Sequence, residues 1–145
     1  MRKFKVVAWQ FLPETGDKEA NLSKIEEGLK RFAKGGADLV VLPELCITGY
    51  LCQDRFYELA EPVPGPSTER LAEALSGTST HAVVGLVEED PVLPGVLYNT
   101  AALIGPEGVV AKYRKLHLPS HSVFDEKRYF RPGGGTAVTE VGGVR

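Results

Sequence analysis

Cysteine is scarce in this chain of 145 residues: only Cys46 and Cys52 occur. Their spacing fits neither a zinc site nor a C-x-x-C redox pair, so in a reducing compartment they read as small core residues. His117 and His121 have no metal-ligand spacing and no aspartate partner nearby, and read as loop histidines. No metal site is expected. No apolar run approaches the roughly eighteen residues that a membrane span needs. The basic start Met-Arg-Lys-Phe-Lys runs straight into an alternating strand, too short an apolar stretch for a signal peptide, which makes the cytoplasm the expected location. Neither sign of charge is in surplus. A formal net charge of -2 argues against a nucleic-acid or anionic-membrane surface. There are no internal repeats and no low-complexity segment.

What is present suits one globular domain. The 43% hydrophobic and 25% charged content is ordinary for a soluble protein with a real core. Phe4 to Trp9 reads as a first strand. A loop follows, and Asp17 is placed to cap a helix to Lys34, in which Leu22, Ile25, Leu29 and Phe32 recur at helical spacing. Gly35-Gly36 ends it. Leu39 to Leu42 is a buried strand, so the chain opens as a βαβ unit with parallel neighbours. Residues 51 to 61 suit a short helix. Ser67 or Thr68 then caps a second amphipathic helix through Leu71, Ala72, Ala74 and Leu75. Ala82 to Glu88 is a strand, and Leu97 to Ile104 with Val109 to Leu116 form a hairpin around Gly105-Pro106-Glu107-Gly108. A long polar and aromatic loop fills 117 to 135, of the kind that carries function. Thr136 to Val141 suits one more strand. Five or six strands against two good helices leave one sheet face partly uncovered.

Three clusters carry chemistry. In Leu39-Val40-Val41-Leu42-Pro43-Glu44, a proline stops the ladder and a carboxylate follows at the mouth of a buried strand, where desolvation is costly unless the group is paired or used. Lys115 stands at the far end of the hairpin's second strand, and Glu126 lies in Phe124-Asp125-Glu126-Lys127-Arg128-Tyr129-Phe130. Brought to one pocket, two carboxylates and a lysine would shift one another's pKa values. Asn99 reads as a buried amide satisfying turn backbone.

Leu42-Pro43-Glu44-Leu45 with Gly49-Tyr50, Tyr98-Asn99-Thr100-Ala101 before Tyr113-Arg114-Lys115-Leu116-His117-Leu118, and Phe124 to Phe130 together resemble the nitrilase superfamily of carbon–nitrogen hydrolases. The Phe-Asp-Glu-Lys-Arg-Tyr-Phe segment is especially similar to glutaminase domains of glutamine-dependent NAD synthetases and related amidases. The resemblance implies an α/β fold, the α-β-β-α sandwich of that family, of which residues 1–145 form the N-terminal portion of a single domain. It implies hydrolysis of an amide, glutamine side chain or carbamoyl group by a Glu–Lys–Cys triad, with Glu44 as general base and Lys115 as the cation facing the developing oxyanion. Glu126 matches the further glutamate that orients substrate or lysine, and Tyr50 and Tyr113 match pocket positions. No cofactor is implied. The expected partners are a small-molecule amide and a second copy of the chain, as a homodimer.

The nucleophile is expected beyond the chain end, after the strand that Val141-Gly142-Gly143-Val144-Arg145 begins; neither Cys46 nor Cys52 matches its position. Alone, this chain is therefore expected to be inactive. The alternative is a non-catalytic hydrolase remnant that acts as an interaction protein.

Overall fold

The structure is a computed structural model that describes residues 3–122 and 124–145. Five strands form one sheet in the order β1-β2-β3-β4-β5. Strands β1 (Val6–Ala8), β2 (Leu39–Val41) and β3 (His81–Glu89) run parallel. Strands β4 (Leu97–Gly105) and β5 (Gly108–Arg114) add an antiparallel meander. The mixed sheet follows from the connections: helices link the first three strands, whereas Pro106-Glu107 turns β4 straight into β5.

Helix α1 (Lys18–Lys34) is capped by Asp17, whose carboxylate accepts the Ala20 N–H at 3.0 Å, as expected. Its apolar stripe of Leu22, Ile25 and Leu29 packs on Val40, Leu42, Ala82, Val84, Leu86, Ala102 and Ile104. A 3-10 turn (Gln53–Arg55) runs into the short helix α2 (Phe56–Leu59). Helix α3 (Pro66–Leu75) begins earlier than its sequence suggests. Gly65 is the N-cap, and Thr68, inside the first turn, both accepts from the Gly65 N–H at 2.9 Å and donates to the Gly65 carbonyl at 2.8 Å. Proline at the first helical position, with no N–H to satisfy, moves the start forward. Helix α4 (Glu126–Tyr129) is a single turn within the long loop.

Helices α1 and α3 cover one face. On the other, Phe4, Leu39, Val83, Ala101, Leu103, Ala111 and Tyr113 line an apolar groove of about 290 Å³, together with Ala137, Thr139, Val141, Val144 and Arg145 of the last segment. Those last residues are not the strand their sequence suggests. Gly142 (φ 57°) and Gly143 (φ 81°) fold the chain back, and Val141 and Val144 exchange backbone hydrogen bonds at 2.9 and 3.0 Å. A turn that needs two left-handed residues in succession spends the segment on itself instead of on a ladder. No helix of the described residues is long and apolar enough to cross a membrane.

Candidate active site

Strand ends bring the three clusters together. After β2, Pro43 stops the strand and residues 44–48 make a tight turn, with Leu45 at φ 48° and the Gly49 N–H donating to the Leu45 carbonyl at 2.8 Å. The turn lies against Gly85 of β3. A Cβ there would sit 2.5 Å from Leu45 N, 2.7 Å from Pro43 O and 2.9 Å from Glu44 Cα. All three are backbone contacts, so only glycine admits this turn. Leu45 is fully buried and anchors a second apolar cluster with Cys52, Phe56, Val87, Leu97, Leu118 and Phe130. That cluster fastens Leu45, Cys52 and Phe56 to Leu118 and Phe130 beside the carboxyl end of β3.

Glu44 Oε1 accepts from Lys115 Nζ at 2.7 Å and from Asn99 Nδ2 at 2.7 Å. Lys115 Nζ also donates to Glu126 Oε1 at 2.9 Å, and the Tyr50 hydroxyl donates to that same oxygen at 2.6 Å. The Glu44 side chain is 46% exposed, Lys115 is 28% exposed and Glu126 only 3%. Glu126 Oε2 is buried and has no hydrogen-bond partner. A buried acceptor left open in this way is expensive in free energy and is met where a donor arrives from outside the chain. A cavity of about 250 Å³ adjoins Glu126 and Tyr50, with Gln53, Asp54 and Arg128 on its wall.

The electrostatics favour a cationic lysine. Burial alone would lower the Lys115 pKa, but hydrogen bonds to Glu44 and Glu126 outweigh it and raise the pKa above the ordinary lysine value. The Tyr50 phenol is pushed far upward, first by burial and then by its bond to Glu126, so it stays a donor. Both cysteines are free and buried. Burial pushes the Cys46 thiol up to about 12, and the Cys52 thiol is also raised by burial. Their Sγ atoms are spent on backbone, Cys46 toward Gly85 O at 3.5 Å and Cys52 toward Thr48 O at 3.0 Å.

The sequence thus points to Glu44, Lys115, Glu126 and Tyr50, and the structure joins all four through hydrogen bonds. Tyr113 stands apart: its hydroxyl accepts from the Leu116 N–H at 3.3 Å and its ring lines the sheet groove. Asn99 is read differently from its expectation, since its amide serves the Glu44 carboxylate instead of turn backbone. Strand alternation turns residue 99 to the same side as the apolar Val87 opposite it, a pairing that only the sheet register reveals. Among the described residues no group of three or more metal-ligating side chains comes together.

A half-covered mixed sheet with a lysine held between two glutamates at its strand ends defines a class: an α/β protein with a site suited to proton transfer and to stabilising developing negative charge. The chain belongs to the carbon–nitrogen hydrolase family, whose profile matches residues 5–144. A nitrilase from Pyrococcus abyssi is 39% identical over 142 residues, covering 95% of this chain and 52% of the relative. An omega-amidase from Xenopus tropicalis is 36% identical, covering 97% and 52% respectively. The glutamine-dependent NAD+ synthetase of Acinetobacter baumannii, solved with ADP, superposes with a TM-score of 0.80 at 33% identity over 97% of this chain and 26% of its own. This chain spans about half the length of the nitrilase and the omega-amidase.

Proposed function

We propose that residues 1–145 carry the base and the cation of a thiol-dependent hydrolase of primary amides or similar non-peptide carbon–nitrogen bonds. The observation that carries this reading is Lys115 Nζ seated between Glu44 Oε1 at 2.7 Å and Glu126 Oε1 at 2.9 Å. In this reading Glu44 takes the proton of a cysteine thiol, and the thiolate attacks the substrate carbonyl carbon. The carbonyl electrons move to oxygen, where Lys115 meets the charge. The C–N bond then breaks, with the Glu44 proton leaving on ammonia. Glu44 next takes a proton from water, which cleaves the thioester and frees the acid. Glu126 steadies Lys115 through Oε1 and offers Oε2 to the substrate N–H. Tyr50 holds Glu126 from behind, and Tyr113 is the more remote pocket candidate.

Neither Cys46 nor Cys52 suits the nucleophile. Thiols that are buried, raised in pKa and directed at backbone carbonyls are inert. The reacting sulphur is assigned to the part of the relatives' length that this chain does not span. The chain's own contribution is cytoplasmic and acts on a small molecule, in a homodimer. A second reading, an interaction protein that retains the fold without catalysis, draws support from the apolar groove on the second sheet face and from Val6, 53% exposed beside it.

The test is intact-mass analysis, followed by peptide mapping of the adduct, of the full-length protein quenched in acid during turnover of glutamine or a short aliphatic amide. The expected result is one acyl adduct on a cysteine other than Cys46 and Cys52. An adduct on either of those overturns the nucleophile assignment, and no adduct with no ammonia release favours the interaction reading.

A further inference from the structure

We infer that Glu88 is a positioning residue: on the helix-covered face of the sheet it fixes the two strand ends that deliver Lys115 and Asn99 to the site on the opposite face. The inference rests on the reading of that site given above.

Glu88 is a carboxylate with no exposed surface, near the end of β3. Its Oε2 accepts from Thr100 Oγ1 of β4 at 2.7 Å and from Arg114 Nε of β5 at 3.0 Å. Its Oε1 accepts from Arg114 Nη2 and from Lys112 Nζ, both at 2.6 Å. One side chain thus ties three adjacent strands. Arg114 is held on two further sides, with its guanidinium 3.7 Å from the Tyr98 ring centroid and 3.6 Å from Asp90. Lys112 also donates to the Val63 carbonyl at 2.8 Å.

Strand alternation makes this cluster more than a distant support. Thr100 and Arg114 are register partners in the β4–β5 ladder. Their immediate neighbours, Asn99 and Lys115, turn to the other face, where both donate to Glu44 Oε1. The Lys115 N–H still reaches the Asn99 carbonyl at 2.9 Å, one step beyond the last residue of β5. An edge-strand terminus is where a sheet opens most readily, yet Lys115 must hold two carboxylates at once. A slip of about 1 Å would lose that geometry.

A buried ion cluster is a poor device for stability alone, because taking its charges out of water offsets most of the attraction. On this inference the role of the cluster is to fix a geometry, with the buried Glu88 carboxylate held by the partly exposed Lys112 and Arg114. Arg114 cannot be replaced in kind by lysine either, since its fork engages both Glu88 oxygens.

The experiment is NMR of the full-length protein with 13Cε-labelled lysine, the Lys115 signal assigned through Lys115→Arg. In the unaltered protein Lys115 is expected apart from the free-lysine envelope, with a titration midpoint above it. Glu88→Gln is expected to move that signal into the envelope and to lower its midpoint. Arg114→Lys keeps the charge and loses the two-point hold, and is expected to shift Lys115 in the same direction by less; it decides the matter if Glu88→Gln does not fold. Folded variants with Lys115 unmoved overturn the inference and leave the site reading intact. An ordinary Lys115 in the unaltered protein overturns the site reading itself, and this inference with it.

Discussion

Replacing Lys115 by methionine removes both bonds that its ammonium makes and leaves Glu126 buried with Tyr50 as its one remaining partner. Exposed ion pairs contribute about 0.2–1 kcal/mol, whereas stripping the partner from a buried charge costs about 3–5 kcal/mol. The pair here lies between those limits, because Glu126 is 3% exposed and Lys115 28%. We expect Lys115→Met to cost about 2–3 kcal/mol and Glu126→Gln about 1–2 kcal/mol. The double variant should be little worse than Lys115→Met, a coupling of about 1–2 kcal/mol. Urea unfolding followed by Trp9 fluorescence measures all four corners of the cycle. Trp9 suits the purpose because it is the only tryptophan and packs on Phe11 and Phe32 at 4.7 and 5.2 Å between ring centroids. The midpoints should move and the slopes should not. The pH dependence has a definite sign. The folded Lys115 pKa lies above its unfolded value, so its stabilisation is complete below the ordinary lysine pKa and is lost as pH rises through the folded value. A coupling under about 0.3 kcal/mol at neutral pH, within ordinary additivity, would refute the idea that the two groups act as a pair.

Gly85→Ala should destabilise by about 1–3 kcal/mol, the range for overpacking, because its Cβ meets backbone atoms of residues 43–45 that cannot yield; thermal unfolding checks this, and a neutral outcome would deny the close approach. Glu88 has its pKa lowered, with burial opposed and outweighed by hydrogen bonds from Arg114, Lys112 and Thr100. Its contribution is therefore present above the unfolded glutamate pKa and lost as pH falls through the folded one. The stability difference between the unaltered protein and Glu88→Gln should accordingly narrow on acidification; a difference that widens would contradict the ion cluster. With the Cys46 thiol near 12, only on the order of one molecule in ten thousand is thiolate at pH 8. Cys46 should therefore resist iodoacetamide until urea unfolds the chain, and Cys52, buried and with its thiol also raised, should do the same, as peptide mapping would show.

The helix, the parallel opening and the hairpin were legible because each is written in local terms. Asp17 is a cap, Leu22, Ile25 and Leu29 form a stripe, and Gly105 to Gly108 is a turn between alternating runs. The start of α3 was less so: the sequence offers Ser67 or Thr68 as the cap, whereas the Gly65 contacts with Thr68 place both inside the first turn. The last strand failed for a non-local reason: residues 136–141 have strand-like composition, but a strand exists only with a partner, and Gly142-Gly143 closes the chain on itself. Glu44, Lys115, Glu126 and Tyr50 were legible as candidates because three separated clusters read as one family pattern, and the structure hydrogen-bonds the four together. Asn99 reads in sequence as serving turn backbone, and Gly85 and Glu88 were passed over, because the importance of all three lies in what stands across the sheet. Glu88 at the end of an apolar strand and Lys112 with Arg114 on one face of β5 were nonetheless a visible hint, given that a buried charge requires partners.

The central claim is that Glu44, steered by Lys115, serves as the base for breaking a carbon–nitrogen bond. Ammonia release from primary amides by the full-length protein, compared with its Glu44→Gln form at equal folded concentration, tests it most directly. A loss of at least about 100-fold, the usual contribution of a general base, is the predicted result; equal rates in the two proteins would contradict it.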